Sequence, residues 1–259
     1  PGQVIAVAQA RGGIGATTVA TNLACALVGR STMFRKVERK RVALLDFDLQ
    51  FGNANVYLDL EDNQGFLDLM RAGEMPDSAF VGGILQRHSS GLDLLCAPKQ
   101  LVPLTTVRAE VIAALLDLLC ADHDYVVVDL PRAMVDWIEP VLQRAARLAL
   151  VTDTSVPCIR QARRMVDFLR EDFMGLPVDF IVNREKKPMI KSDHHREAEK
   201  VLQTKLTHWL PDNPRLARAA VDLGRPVVEM KPGSDLAKAL TGLAVSVGTA
   251  AQTARQLNA

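Results

Sequence analysis

Apolar residues in this chain fall into short unbroken runs separated by longer stretches of helical spacing. Residues 4–8 (Val-Ile-Ala-Val-Ala) form the first run, and 41–46 carries the second in Val42-Ala43-Leu44-Leu45. Continuous runs of this kind suit strands of a parallel sheet covered on both faces; a half-solvated sheet would alternate apolar and polar positions. The same reading predicts strands over 92–95, 125–129, 148–152, 178–182 and 208–210. Between them, apolar positions recur at helical intervals over 17–28, 107–120, 137–147, 159–173, 214–223 and 235–254. Val19, Leu23, Ala26 and Leu27, for example, share one face. Strand and helix in alternation predict an α/β fold: a doubly wound, mainly parallel sheet with helices on both faces. No internal repeat or low-complexity linker divides the chain, so 1–259 reads as a single domain.

Composition adds mainly exclusions. Of 259 residues, 48% are hydrophobic and 24% charged, which rules out a disordered, collagen-like or disulfide-scaffold chain. The formal charge of +1 provides no global field for nucleic acid or anionic lipid, so any basic surface must be local. Cys25, Cys96, Cys120 and Cys158 sit in apolar stretches without metal-type spacing and read as reduced core residues of a cytoplasmic protein. No charged segment precedes an apolar one as in a signal peptide. The uncharged stretch between Lys238 and Arg255 is too polar to cross a bilayer. His88, His123 and His208 are isolated, and the adjacent His194 and His195 would not share a helix face.

Two charge clusters stand out. Arg30, Arg35, Lys36, Arg39, Lys40 and Arg41 precede the second strand, opposed only by Glu38; Arg184 to Lys200 is basic but diluted by acids. Each is either a solvated loop or helix, or a surface for phosphates.

The chemistry lies at the strand ends. A Gly-rich turn, Arg11-Gly12-Gly13-Ile14-Gly15, joins the first strand to the first helix. In that context glycines let the backbone approach a phosphate, and the amides of the helix's first turn point at it. A P-loop reads GxxxxGK[ST]. Here Ala10 stands for the first Gly and Ala16 for the Lys, while Thr17 keeps the hydroxyl that would hold Mg²⁺. Alone, this turn could equally be a tight connection with no ligand. The second strand, however, ends in Asp46-Phe47-Asp48, and 125–129 ends in Asp129 followed by Leu130-Pro131. Ligands bind at the carboxyl edge of an open parallel sheet. Three carboxylates therefore converge beside the Gly-rich turn, where they could hold Mg²⁺ through water and orient an attacking water.

Together, RGGIGATT (11–18), DFDLQFGNA (46–54) and VVVDLP (126–131), in this order, resemble the ParA/MinD group of deviant Walker ATPases, P-loop NTPases of the SIMIBI class. The resemblance spans almost the whole chain. Ile181-Val182-Asn183-Arg184 is similar to the family strand whose Asn touches adenine, and 210–214 through 224–227 to the segment closing over the base. Within the group, GGIGATT and LLDFDLQFG most resemble the CpaE/TadZ proteins of Flp (Tad) pilus assembly, which carry a receiver-like domain ahead of this one. The start at Pro1, immediately before a strand, would fit such a domain preceding this chain.

The resemblance implies ATP and Mg²⁺ as cofactors. Arg11, Gly12, Gly13, Ile14, Gly15, Ala16, Thr17 and Thr18 would surround the phosphates, Thr17 and Asp129 would hold Mg²⁺ (the latter through water), and Asp48, supported by Asp46, would orient the attacking water. Asn183, Arg184, Pro211 and Asp212 would bound the adenine, although Asn183 could instead satisfy backbone groups. Two departures matter. The family's phosphate Lys is Ala16, and its signature Lys, which reaches the partner's nucleotide in a sandwiched homodimer, is Arg11. Losing such a cation costs on the order of 10²–10⁵ in rate. Binding should suffer less, because the main-chain amides remain. The expectation is an ATP-dependent dimeric switch or scaffold with weak or absent hydrolysis, placing pilus and secretion machinery at a cell pole. Arg132 could partly replace the missing Lys, or be an ordinary surface Arg. The alternatives are a partition-type ATPase binding DNA nonspecifically and a MinD-like placement regulator. For the latter, Leu240, Leu243, Ala244 and Val247 read as a core stripe and not as a membrane-binding one.

Overall fold

The computed structural model describes residues 1–29 and 38–257. Arg30, Arg35 and Lys36 of the first basic cluster lie outside them. Among the described residues, eight strands form one sheet: β1 Gln3–Gln9, β2 Val42–Asp46, β3 Gln86–Arg87, β4 Asp93–Leu95, β5 Tyr125–Asp129, β6 Ala145–Thr152, β7 Val178–Asn183 and β8 His208–Leu210. Their order is β3-β4-β2-β5-β1-β6-β7-β8, parallel throughout except for β3 against β4. The helices are α1 Ala16–Val28, α2 Ala54–Tyr57, α3 Gly65–Arg71, α4 Ser78–Ile84, α5 Ala109–Asp122 and α6 Glu139–Arg144. After them come α7 Val156–Asp172, α8 Asp193–Leu202, α9 Pro214–Asp222, α10 Val227–Met230 and α11 Asp235–Leu257.

The unbroken apolar runs have a direct explanation. Successive side chains of a strand point to opposite faces, and here both faces are covered. Val4 and Ala6 of β1 join a layer with Val126, Val128, Leu148 and Leu150 beneath α5, α6 and α7. Ile5 and Val7 join the other layer, with Val127, Ala149 and Val151, beneath α1 and α11. Burying each of the larger of these side chains contributes about 1.5–3 kcal/mol, so a charge at a fully buried position such as Ile5 or Val127 should be strongly destabilising. Leu240, Leu243, Ala244 and Val247 are all buried against α1 and β1, as their spacing predicts. No helix among the described residues is long and apolar enough to cross a membrane.

One boundary is corrected. The expected helix over 137–147 stops at Arg144, and 145–147 opens β6. The residue that decides it is Arg147, which pairs across the strands with Asp179 of β7 at 2.5–2.6 Å and lies opposite Ile5 of β1. A long-range ion pair and two strand neighbours outweigh a weak local helical pattern.

Candidate functional site

The sheet order places the end of β1 between β5 and β6, and that of β5 between β1 and β2. Asp46 and Asp129 are register partners at the carboxyl ends of β2 and β5, and Val7 of β1 sits beside Asp129. The Gly-rich turn leaves β1 two residues beyond Val7. Gly13 and Gly15 have φ of +72° and +95°, left-handed values that L side chains resist. They turn the chain so that Gly15 becomes the N-cap of α1, and no side chain caps that helix. The amides of Gly12 to Thr18 have no acceptor among the described residues. Main-chain carbonyls of the turn, by contrast, are held from outside. Asn183 Nδ2 donates to Ile14 O at 2.7 Å and Arg184 Nη2 to Gly13 O at 2.8 Å. The turn is therefore braced through its acceptors while its donors remain unused.

The acids beside it are unusual in their solvation. Asp46 is fully buried; its Oδ1 accepts from the Asp48 amide at 3.2 Å and its Oδ2 from the Ala54 amide at 2.9 Å. Burial, with Asp48 adding to it, pushes Asp46 up to about 7 despite those amides. Asp129 is 2% exposed, and burial followed by Asp46 pushes it well above the carboxylate range; the Thr17 hydroxyl pulls the other way. Asp129 Oδ2 is buried with no hydrogen-bond partner among the described residues. A buried, unpartnered carboxylate next to a second one and a hydroxyl is a donor set for a hard cation, and Mg²⁺ fits it. Asp48, half-buried, is also raised by burial, but Phe51 and Gln50 amides and Arg132 oppose the shift.

This stretch folds locally for two reasons. Phe47 is buried edge-on between Phe66 at 5.8 Å and Trp137 at 5.7 Å, so its two neighbours cannot share its side of the chain. Gly52 then packs where no side chain fits: an added Cβ would press on Asp46 Oδ1 and lie 2.5 Å from the Asp48 carbonyl oxygen. Gly52 falls within the 46–54 motif, but nothing in its spacing marks this role.

A cavity of about 420 Å³ opens beside the N-terminus of α1. Asn183, Arg184, Pro211 and Asp212 line it together with Gly15 and Thr18, so the predicted base-side residues meet the predicted phosphate-side residues at one cleft. Leu236 and Leu240 of α11 also line it; as ordinary core-helix positions they carried no signal. The cations are arranged as follows. Ala16 is 3% exposed and supplies no charge. The Arg132 guanidinium lies directly over Gly12, within 3 Å of where a Cβ would stand. Arg11 pairs with Asp153 of its own chain at 2.7 Å. Burial would raise Asp153, but the Ser155 hydroxyl and amide, and then Arg11, hold it below the usual carboxylate range.

The histidines divide. His195, read as offering little, closes the α8 N-cap with Ser192 and meets Glu185 Oε1 at 2.6 Å. His88, isolated in sequence, is not isolated in space: it stands beside Cys25 and Glu229.

Comparison with known proteins agrees with this architecture. A family model described as an AAA domain (AAA_31) matches residues 2–164. The septum site-determining protein MinD of Thermotoga maritima is 27% identical over 194 residues, covering 73% of this chain and 67% of that one. Among solved structures, the ParA family ATPase from Chlorobium tepidum TLS aligns with a TM-score of 0.82 at 24% identity, covering 94% and 98% of the two chains. MinD from Pyrococcus horikoshii OT3, solved in complex with Mg-ADP, aligns at 0.75 and 22%, covering 95% and 96%.

Proposed function

This chain belongs to the AAA-domain family, in its ParA/MinD group of P-loop NTPase folds, and on that premise we propose that it is a nucleotide-dependent switch with little or no hydrolysis. The observation that carries the reading is the row of unspent amides from Gly12 to Thr18, held open by Asn183 and Arg184 through the opposite side of the turn. Such amides are built for phosphate oxygens, and they need no lysine to act. ATP would lie with its phosphates on this turn and its base in the cavity between Asn183 and Pro211. Thr17 and Asp129 would hold Mg²⁺, which when bound neutralises phosphate charge. Asp48 would orient the attacking water. What the site lacks is a cation that follows charge onto the phosphates: Ala16 supplies none, and Arg132, an exposed planar fork above Gly12, is a poor copy of a compact ammonium.

Calorimetry with Mg²⁺-ATP is expected to give saturable binding with little phosphate release. No heat and no thermal shift at millimolar ATP would reject the reading.

In this reading the ATP-bound form pairs with a second copy across the phosphate face, and Arg11 exchanges Asp153 for the partner's nucleotide. Sedimentation should therefore show dimers with ATP only. The motifs GGIGATT and DFDLQFG support a scaffold for Flp/Tad pilus assembly, located at a cell pole by its partners. Deleting the gene should abolish pili. A second reading, a MinD-like placement regulator, is favoured by the Thermotoga maritima relative. Normal pili with misplaced septa in the deletion strain would select it.

A further inference from the structure

Cys25, His88 and Glu229 come from three separate parts of the chain: the third turn of α1, the turn leaving β3, and α10. Their ligand atoms lie within 4.8 Å of one another. Cys25 is ten residues below Gly15 along α1, about 15 Å from the phosphate turn, so this cluster is distinct from the site above. Cys25 and His88 are each 7% exposed, and Glu229 is half-buried at the rim.

The imidazole is oriented. The His88 amide donates to Leu92 O and Gly91 returns to His88 O, both at 2.8 Å, which fixes a tight turn with Gly91 at φ +91°. Within that turn Ser90 meets His88 Nδ1 twice, through its amide at 3.2 Å and its hydroxyl at 2.8 Å. The other ring nitrogen, Nε2, makes no hydrogen bond among the described residues, and neither does the Glu229 carboxylate. With the Ser90 amide donating to Nδ1, the ring carries its proton on Nε2; to bind a metal through Nε2 it shifts to the other tautomer, in which Nδ1–H donates to Ser90 Oγ as in metal-binding histidines.

We propose that Cys25, His88 and Glu229 form a binding site for a zinc-class divalent cation, with a fourth position open to water. Thiolate, imidazole and carboxylate are all zinc donors, whereas Mg²⁺ and Ca²⁺ take oxygen and would pass this site by. Tetrahedral zinc with these donors separates its ligand atoms by about 3.3–3.7 Å, so no pair of the three need close by more than about 1.5 Å. On binding, the Cys25 sulfur releases its proton to solvent and bonds the metal. Ser90 Oγ then accepts from the Nδ1–H of His88. Burial, followed by Glu229, pushes the Cys25 thiol far up; burial pushes His88 down, against Glu229 and Asp59. The bound ion would tie α1, whose other end carries the phosphate turn, to the β3–β4 turn and α10.

The test is a Co²⁺ titration of the metal-stripped full chain in excess Mg²⁺, followed by Zn²⁺ displacement. One equivalent of Co²⁺ should bind with a sulfur-to-metal charge-transfer band, and Zn²⁺ should erase it. Cys25→Ser should abolish the band, and His88→Ala and Glu229→Gln should each weaken Co²⁺ binding by about tenfold or more. Cys120→Ser, at the half-buried thiol elsewhere, should leave the band unchanged. Where Cys25→Ser fails to fold, the other two substitutions carry the same test. Absence of the band in the parent chain, or its survival in all three variants, would overturn the proposal.

Discussion

Asn183 donates its side-chain amide to the main-chain oxygen of Ile14 at 2.7 Å, so the last residue of β7 braces the Gly-rich turn between β1 and α1. Asn183 also stands 2.7 Å from where a Cβ on Gly15 would lie, which leaves that position to glycine twice over, by sterics and by its φ of +95°. A neutral hydrogen bond of this kind contributes about 0.5–1.5 kcal/mol. Asn183→Ala should therefore weaken Mg²⁺-ATP binding by about 2- to 12-fold, with little change in fold by circular dichroism. Calorimetry checks this, and an unchanged affinity would show that the turn keeps its shape unaided.

Ala16 marks the position at which turnover should be recoverable. Ala16→Lys restores a compact cation at the start of α1, next to Thr17. Phosphate release is expected to rise by about 10² or more. Steady-state ATPase assays read the change. Because Ala16 is buried, the variant's melting temperature should be measured alongside.

Asp46 and Asp129 make the empty protein sensitive to pH in an unusual direction. A carboxylate whose folded pKa is raised binds its proton more tightly when folded. Its contribution is complete below the ordinary value of 3.8 and is lost as pH rises through about 7 for Asp46. Without ligand and metal, thermal stability should thus fall between mildly acidic and mildly alkaline pH. Asp129→Asn should flatten that fall and raise the melting temperature near pH 8 by a few °C, roughly 2–4 °C per kcal/mol for a chain of this size. The same variant should lose the Mg²⁺ dependence of nucleotide binding. Scanning calorimetry across pH, with and without Mg²⁺, distinguishes the two effects.

Gly52 should tolerate nothing larger. Gly52→Ala forces a methyl against Asp46 Oδ1 and the Asp48 backbone, neither of which can yield like the end of a flexible side chain. A loss of about 1–3 kcal/mol in urea unfolding is expected, together with weakened nucleotide binding, because the acids it displaces belong to the proposed site. A variant as stable as the parent would mean that the 46–54 turn relaxes freely.

The segment between β2 and β4 shows where reading the sequence stopped. α2, α3 and α4 are short, at four, seven and seven residues, and β3 has two. None is long enough for an apolar period to repeat, and each is fixed by what it packs on. Phe66 of α3, for instance, is placed by Phe47. His88 lies at the end of this stretch, so its meeting with Cys25 and Glu229 could not be seen along the chain. Arg11 is a related case: the resemblance implies a reach toward a partner's nucleotide, but folding brought Asp153 within 2.7 Å of it.

The sequence by itself determined the two-faced sheet, the glycine turn after β1 and the acids at the ends of β2 and β5. These rest on local rules: apolar runs need cover on both sides, left-handed turns need glycine, and carboxylates end apolar strands only where something polar waits for them. Only the tertiary structure decided which groups are spent. Asn183 and Arg184 take the turn's carbonyls, Asp153 takes Arg11, Asp129 Oδ2 is left without a partner, and Cys25 gains His88 and Glu229. A hydrogen bond or ion pair is a relation of distance, and distance between residues far apart in sequence is set when the helices close over the sheet.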